Sequence, residues 1–407
     1  MRMANRRLFF SFLYLFALIF IGLLDSCTDT SAKSKWGITD PVLASENRDS
    51  INKIRKEINA VGKAKLLNAV FTDEAKLKGF NGVVLIAQRG QVIYEKAFGY
   101  SNFKKKDSLK LNSVFQLSSS SKTLTAAAIM LLAEQGKLKL TDSIQQYLPN
   151  FPYHHITIKM LLTHRSGLSN YVYDCEPYCQ KPNMYNGCAF NNKSMLDILI
   201  INKPKIYCLP NKKFEYCNTN YALLPLIIEK VTGMDFAAYM QKNIFQPLGM
   251  KDTWVHDPKT DSTRKNLTVG HNASGSLEKV VFADDVVGDK GIYSTAEDMF
   301  KWDQALYTEK LLKKETIEQC FTGYSNEHKG KRNYGYGWRM IDNGNGNKIV
   351  YHNGWWHGYN SEFFRRLNDQ TSIIILSNRD NRMAYQIKDV LPILTSSTEA
   401  FDIGGGD

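Results

Sequence analysis

Strand patterns at both ends of the chain, with helical patterns between them, constrain its fold more than any other sequence feature. Near the N-terminal end, residues 82–98 read as two apolar strands joined at Arg89-Gly90, a pattern typical of a hairpin. Further strand-like runs lie near the C-terminal end, at residues 334–341, 348–352, 360–366 and 371–377. Because strands pair to satisfy their backbone groups, and the resulting sheet buries an apolar face against helices, we predict a mixed α/β (α+β) fold. In it, one antiparallel sheet is built from the N- and C-terminal strands, with flanking helices.

The middle of the chain is predicted to be a mainly helical region, inserted into this sheet at about residues 123–306. Helical spacing is clearest at residues 123–135, which Gly136 follows, and at residues 221–231. Residues 51–77 also have helical spacing, with a break near Gly62. We therefore predict one domain over residues 51–395, followed by a disordered tail at 396–407.

The first residues have the composition of a targeting segment. Three arginines precede an unbroken apolar run of 17 residues, 8–24, a length between a signal-peptide core and a minimal membrane span. Leu24-Asp25-Ser26-Cys27 then resembles a bacterial lipoprotein cleavage site, although Asp25 is unusual there and would favour an uncleaved anchor. We predict a signal peptide at 1–26, lipid attachment at Cys27 and a polar tether at 27–50. Either outcome places the domain in the cell envelope of a bacterium.

The net formal charge of +12 favours loose attraction to anionic envelope polymers and membranes. The positive charge is spread thinly, because Lys104-Lys105-Lys106 is its longest run. A nucleic-acid partner is therefore not expected.

Four cysteines fall within a 34-residue stretch, at Cys175, Cys179, Cys188 and Cys208. In an oxidising compartment, this density predicts one or two disulfides that stiffen a Cys-rich insert, residues 171–208. Zinc binding is the alternative, but the spacings match no common zinc pattern, and no metal site is predicted. Cys217 and Cys320 are expected to be free and buried.

The most informative segment is a run of four serines, 118–121, before a lysine that opens an apolar helix. Only Ser119 stands three residues before Lys122, and positions i and i+3 share a helix face. Burial beside apolar residues disfavours an ammonium ion, so the amine could accept the Ser119 proton. An isolated Ser-x-x-Lys also fits an N-capping serine and a solvated lysine, so further motifs must decide.

Two further motifs follow in order along the chain. Tyr216-Cys217-Asn218 leads into a helical segment, and His352-Asn353-Gly354 lies on a C-terminal strand. With Ser-x-x-Lys, Tyr-x-Asn and His-x-Gly in this order, the chain resembles the serine β-lactamase and penicillin-binding-protein superfamily. It is most similar to the class C-like branch of esterases, D-aminopeptidases and D-alanyl-D-alanine carboxypeptidases. The resemblance covers about residues 81–378 and implies a β-lactamase/transpeptidase-like fold.

The resemblance implies a role for each catalytic residue. Ser119 would be the nucleophile, Lys122 its proton acceptor and Tyr216 a second acid/base. In this branch, Tyr216 and Lys122 would also assist the water that releases the acyl group, so no separate carboxylate, metal or cofactor is implied. Outside catalysis, Tyr216 could equally be a core aromatic residue.

The resemblance also implies a substrate-binding edge. Asn218 would hold the substrate amide, and the strand at His352 and Gly354 would lie along the substrate. The backbone N–H groups of Ser119 and Trp355 would form the oxyanion hole. Structural explanations remain for two of these residues, since Asn218 could be an N-cap and His352 a half-buried strand residue.

Two departures from the family pattern concern the substrate. His352 replaces the lysine of strict penicillin-binding proteins, and a neutral imidazole holds a carboxylate less well than an ammonium does. Trp355 and Trp356 stand where small residues are common and should narrow the cleft. We therefore expect a preference for esters or amides without an obligatory adjacent carboxylate.

The predicted function is a serine hydrolase that acts on a small-molecule or peptide substrate, with D-residue cell-wall peptides as one natural class. The alternatives are a true β-lactamase and a non-catalytic envelope sensor or binding protein of the same fold.

Overall fold

The computed structural model describes residues 41–179, 190–327, 330–342, 346–381 and 387–395. The chain divides into two units, residues 1–57 and 58–407. The described part of the first unit is helix α1, Pro41–Glu57. Residues 41–50 are thus helical, whereas the sequence predicted an irregular tether. Proline is common at the first position of a helix, because its fixed φ is already helical. The N–H groups of the first turn have no hydrogen-bond partner within the helix, so the N–H that proline lacks is not needed there.

Several predicted segments lie outside the described residues: the signal peptide at 1–26, Cys27 and the tail at 396–407. Within the described ranges, no helix is both long enough and apolar enough to cross a membrane.

A seven-stranded antiparallel sheet forms the centre of the second unit, in the order β2-β1-β12-β11-β10-β9-β8. Its strands are β1 Gly82–Gln88, β2 Gln91–Phe98, β8 Arg332–Tyr334, β9 Arg339–Asp342, β10 Lys348–Trp356, β11 Tyr359–Arg366 and β12 Thr371–Ser377. Strand β1 pairs with β12, with Gly82 opposite Ser377. The predicted sheet, built from the N- and C-terminal strands, is therefore confirmed.

The hairpin turn was predicted correctly, but one C-terminal strand was not. Arg89 and Gly90 take the left-handed φ values of 50° and 72° that a tight hairpin needs. The predicted strand at 334–341 is instead divided into β8 and β9 by a turn at residues 335–338. Gly337 has a φ of 82° there, and a Cβ atom at this position would come within 2.8 Å of the Lys122 carbonyl oxygen. The close approach to the neighbouring helix requires a glycine, which a strand pattern does not indicate.

Helices cover the sheet and fill the inserted region. They are α2 Ala60–Leu77, α3 Ser121–Glu134, α4 Ile158–Leu162, α5 Tyr171–Asp174, α6 Glu176–Cys179, α7 Asn192–Asn202, α8 Asn218–Thr232, α9 Phe236–Met240, α10 Gln246–Leu248, α11 Ala296–Ala305, α12 Lys314–Cys320 and α13 Leu391–Leu394. Gly233 ends α8 with a left-handed φ of 68°. The predicted helix over 51–77 breaks at Asn59, which has a φ of 50°, rather than at Gly62.

The predicted helical insertion, residues 123–306, also contains two short strands, and three more short strands lie just before it. Strands β5 Phe115–Gln116, β6 Trp254–Val255 and β7 Ile292–Ser294 form a three-stranded sheet in the order β5-β7-β6. Two more short strands, β3 Tyr100–Asn102 and β4 Asp107–Ser108, pair with each other. Strand β5 leads directly into the turn before α3, which positions the Ser-x-x-Lys motif.

Helix α3 lies in the core, with eleven buried residues among its 14. It packs against α8, and its apolar side chains join one cluster with the inner face of the sheet. Burying a side chain of this kind contributes roughly 1.5–3 kcal/mol. The helix that carries Lys122 is thus among the most firmly held parts of the domain.

None of the described cysteines is paired: Cys175, Cys179, Cys208, Cys217 and Cys320 are all free thiols. Cys217 and Cys320 are buried, as expected from the sequence. The predicted disulfides are therefore not formed among Cys175, Cys179 and Cys208, and Cys188 lies outside the described residues.

Candidate active site

The candidate nucleophile lies on a strained turn between β5 and α3. Residues Ser118–Ser120 form a 3₁₀ turn that continues into the helix. Ser118 has a left-handed φ of 49°, a conformation that is costly for a residue with a side chain and is often found at functional sites. Of the four serines, only Ser119 is not fully buried, so its hydroxyl is the one that a substrate can reach.

Hydroxyl groups attach this turn to the edge of the central sheet. The Oγ atom of Ser120 donates to the His352 carbonyl oxygen at 2.8 Å, and Ser361 Oγ donates to the Leu117 carbonyl oxygen at 2.6 Å. A Cβ atom at Gly354 would lie 2.7 Å from the Ser119 amide nitrogen. The His-x-Gly strand and the nucleophile turn are therefore in direct backbone contact.

Lys122 is the centre of the polar site. Its side chain is fully buried, and Nζ lies 3.1 Å from Ser119 Oγ, 2.9 Å from Asn218 Oδ1 and 2.7 Å from the Asp289 carbonyl oxygen. Two of these three partners are carbonyl oxygens, which can only accept hydrogen bonds. Lys122 Nζ donates to all three, and of the three only the Ser119 hydroxyl also carries a proton that it can give up.

The Tyr-x-Asn motif meets Lys122 at the start of α8. The Tyr216 ring centroid is 5.1 Å from Lys122 Nζ and 4.9 Å from the Arg339 guanidinium carbon. Asn218 is the first residue of α8, and its carbonyl oxygen accepts from Lys122. The structure therefore brings Ser119, Lys122, Tyr216 and Asn218 together around one amine.

His352 lies behind the cleft in a chain of buried hydrogen bonds. The Tyr334 hydroxyl is 3.1 Å from His352 Nε2 and 3.2 Å from His164 Nε2. His164 Nδ1 accepts from the Cys217 amide at 3.2 Å, so its proton is on Nε2. His352 Nδ1 donates to the Asn353 carbonyl at 2.7 Å, so its Nε2 accepts from Tyr334.

Both imidazoles in this chain are neutral. Burial, together with the positive charges of Arg339 and Lys122, holds the pKa of His352 well below its ordinary value of 6.5. Burial is also the main cause of the lowered pKa of His164. His352 is fully buried, so it supplies no fixed positive charge to the cleft. His164 accepts from the amide of Cys217, between Tyr216 and Asn218, and so supports the Tyr-x-Asn motif.

The two tryptophans after Gly354 have different environments. Trp355 remains 51% exposed and donates from Nε1 to Asp380 Oδ1 at 3.1 Å. Trp356 is buried and donates from Nε1 to Asp284 Oδ1 at 2.7 Å. Only Trp355 can therefore form part of an exposed rim. The backbone N–H of Trp355 remains a predicted hydrogen-bond donor to the oxyanion.

Sequence reasoning missed Tyr334, Arg339 and Asp289, which contact residues of this site, and Lys290, which lies next to Asp289. Tyr334 lies in Tyr334-Gly335-Tyr336-Gly337, whose two glycines indicate a turn that could have been predicted. Asp289 and Lys290 directly precede Gly291 and an apolar strand. This charged pair next to an apolar strand is the only sequence feature that could have indicated their place near the site.

Comparisons with known proteins show the family to which the chain belongs. The family profile described as Beta-lactamase matches residues 67–393. Penicillin-binding protein 4* of Bacillus subtilis (strain 168) is 33% identical over 341 residues, which cover 80% of this chain and 74% of that protein. The octameric penicillin-binding protein homologue from Pyrococcus abyssi has a TM-score of 0.67 at 27% identity, with 78% of this chain and 73% of that chain covered.

A class C β-lactamase has a TM-score of 0.69 at 18% identity, and the alignment covers 84% of this chain and 98% of that one. At this identity, the likeness shows a shared fold alone. The match of the family profile over most of the chain carries the assignment. This chain belongs to the β-lactamase family, within the superfamily of serine β-lactamases and penicillin-binding proteins, whose members are generally serine hydrolases.

Proposed function

We propose that this protein forms an acyl-enzyme on Ser119 and hydrolyses ester or peptide-like amide bonds. The observation that carries the proposal is the 3.1 Å separation between Ser119 Oγ and the Nζ atom of a fully buried Lys122. A hydroxyl next to an amine held in this way is the arrangement of an activated nucleophile.

In the acylation step, Lys122 accepts the Ser119 proton while Oγ bonds to the substrate carbonyl carbon. The carbonyl oxygen becomes an oxyanion, which the N–H groups of Ser119 and Trp355 would stabilise. The bond to the leaving group then breaks, and Lys122, or Tyr216 beside it, returns a proton to that group. Water repeats the same steps on the acyl-enzyme, so that Ser119 recovers its proton and the acid is released.

Charge in the cleft bears on the substrate class. His352 is neutral and buried, whereas Arg339 brings a permanent cation to the Tyr216 ring. An acyl donor with a carboxylate therefore has a possible partner in Arg339, even though the family's lysine is absent. D-residue cell-wall peptides, which end in a carboxylate, fit this arrangement, and so do β-lactams. The β-lactamase alternative therefore has one observation in its favour.

The proposed location is the bacterial cell envelope, with a lipid anchor on Cys27. The apolar run at 8–24 and the following Leu24-Asp25-Ser26-Cys27 support this proposal. Similarity to penicillin-binding proteins agrees with an envelope location. Radioactive palmitate labelling in a bacterial host, lost in Cys27→Ala, is the expected result, and equal labelling of both proteins would contradict the anchor.

Intact-mass spectrometry over time distinguishes the proposed hydrolase from its alternatives. The protein is mixed with a p-nitrophenyl ester, a D-alanyl-D-alanine peptide or a penicillin, with Ser119→Ala as the control. A transient adduct with release of product supports hydrolysis, and the substrate with the fastest turnover identifies the class. A persistent adduct with every compound would support a sensor, and the absence of any Ser119-dependent adduct would overturn the proposal.

A further inference from the structure

A second lysine lies buried next to the catalytic amine. Lys290 is 2% exposed, and its Nζ atom donates to the Tyr171 hydroxyl at 2.6 Å and to the Val286 carbonyl at 3.0 Å. The Tyr171 hydroxyl in turn donates to Asp289 Oδ2 at 3.1 Å. Lys290 Nζ is 3.6 Å from the same carboxylate oxygen. Tyr171 therefore bridges an ion pair between two adjacent residues.

The ion pair between Asp289 and Lys290 is expected to contribute little to the stability of the fold. Asp289 Oδ1 is buried without a hydrogen-bond partner among the described residues. Buried ion pairs that are incompletely hydrogen-bonded often contribute less to folding than apolar side chains of the same size. A role other than stability is therefore expected for Asp289 and Lys290.

The pair is connected to Lys122 through one peptide group. The Asp289 carbonyl oxygen accepts from Lys122 Nζ at 2.7 Å. The same loop is fixed to α3 one residue earlier, where Thr125 Oγ1 donates to the Gly288 carbonyl at 2.9 Å. Gly288 has a φ of 99°, and a Cβ atom there would come within 2.6 Å of the Tyr221 carbonyl oxygen. The loop therefore has little freedom to move away from Lys122.

We infer that Asp289 and Lys290 are positioning residues whose opposite charges set how tightly Lys122 holds its proton. The inference rests on the proposed role of Lys122 as the proton acceptor of Ser119. Lys290 disfavours a second positive charge nearby, whereas Asp289 favours one. The balance between them determines the pH above which the nucleophile is active.

Except for Arg339, the other groups that contact Lys122 or its aromatic neighbours are uncharged. Its direct polar partners, Ser119, Asn218 and the Asp289 carbonyl, are uncharged. Its aromatic neighbours are Tyr216 and Tyr221, with ring centroids at 5.1 Å and 5.8 Å. The remaining neighbours are the neutral imidazoles His164 and His352, and the Arg339 cation beyond the Tyr216 ring.

The groups around Lys290 act in opposite directions on its own charge. Burial lowers the pKa of Lys290, while the carboxylates of Asp289 and Asp284 raise it, and Lys122 lowers it further. The Trp356 ring lies 4.5 Å from Nζ and the Tyr171 ring 5.3 Å from it, and both favour the cation.

The test is the pH dependence of Ser119 labelling by a fluorophosphonate. Lys290→Met should move the pH of half-maximal labelling upward by about one unit, since removal of a nearby positive charge strengthens proton binding. Asp289→Asn should move it downward, and Lys290→Arg should leave it near the wild-type value. The double variant Asp289→Asn/Lys290→Met removes both charges, and its pH of half-maximal labelling should lie between those of the single variants. It allows the test to be made even where one single variant does not fold.

Lys301→Met is the matched control, because Lys301 pairs with Asp298 and the Gly249 carbonyl outside the site. It should change thermal stability without moving the labelling midpoint. Shifts in the same direction for Lys290→Met and Asp289→Asn, or no shift in either, would overturn the inference. Failure of the proposed function is distinguishable, because wild-type protein would then show no Ser119-dependent labelling at any pH.

Discussion

Gly354 lies against the backbone of Ser119, so closely that a Cβ atom at residue 354 would be 2.7 Å from the Ser119 amide nitrogen and 2.5 Å from the Leu117 carbonyl oxygen. Real Cβ atoms almost never approach backbone atoms to this distance. The glycine of the His-x-Gly motif therefore allows the sheet edge and the nucleophile turn to meet. The contact fixes Ser119 relative to strand β10.

Gly354→Ala should reduce the rate of Ser119 acylation by about 100-fold or more, because the turn or the strand must shift to admit the methyl group. The measurement is the rate of fluorophosphonate labelling at fixed pH. Gly330→Ala is the matched control, because Gly330 is exposed and a Cβ atom there would meet nothing within 4 Å. Equal labelling rates in the two variants would contradict the proposed contact.

Tyr334→Phe should lower the free energy of unfolding by roughly 1–3 kcal/mol, because His164 and His352 would both lose a buried partner. Urea denaturation measures the change. Tyr173→Phe is the control, because the Tyr173 side chain is 68% exposed, and this change should have little effect. A Tyr334→Phe variant as stable as wild type would show that the hydrogen-bond chain is not formed.

The stability of the domain should depend on pH through His256. Burial by itself would lower the pKa of His256, but hydrogen bonds to the Asp261 and Asp285 carboxylates raise it to about 9. Because the pKa in the folded state lies above the ordinary 6.5, folding takes up a proton between these values. The stabilisation is therefore complete below about pH 6.5 and is lost as the pH rises through about 9.

His256→Gln removes this titration. The difference in unfolding free energy between wild type and His256→Gln should be largest near pH 6, on the order of 3 kcal/mol, and should shrink towards pH 9. Denaturant titrations at several pH values provide the measurement. A difference that stays constant over this range would disprove the ion-pair role of His256.

Arg339→Gln should separate substrates by charge. The guanidinium lies 4.9 Å from the Tyr216 ring centroid, so its loss should reduce kcat/KM for a carboxylate-bearing substrate such as nitrocefin by about tenfold or more. A neutral p-nitrophenyl ester should be much less affected. Equal losses with both compounds would indicate that Arg339 supports the Tyr216 ring without contacting the substrate.

The wild-type protein should also turn over the ester faster than nitrocefin, because Arg339 at the Tyr216 ring only partly replaces the fixed positive charge that a lysine at position 352 would place on the substrate strand. Rapid nitrocefin hydrolysis that is abolished by Ser119→Ala would overturn this preference and favour the β-lactamase alternative.

The parts of the site that could be predicted from the sequence are those whose residue types and order are distinctive. Ser119 and Lys122 are one helical turn apart, so local geometry brings them together. Tyr216, Asn218 and Gly354 were expected at the same site only because their order resembles that of a known family. The sheet followed from strand patterns at both ends, since a hairpin and apolar strands are local signals.

The parts that could not be predicted depend on contacts between distant residues. Whether His352 faces the cleft or the interior depends on Tyr334, 18 residues earlier, and on His164 in the insertion. The charges of Asp289 and Lys290 look like surface charges in sequence, and only the fold buries them beneath Lys122 and Tyr171. No local pattern specifies such partners.

The most direct test of the central claim is the comparison of Ser119 labelling in wild type and Lys122→Met. Fluorophosphonate-treated protein is digested, and the modified residue and its rate of modification are measured by mass spectrometry. The proposed mechanism predicts one adduct, on Ser119, with a rate that falls by about 10²–10⁴-fold in Lys122→Met, the usual contribution of a positioned general base. An adduct on another residue, or equal rates in the two proteins, would contradict it.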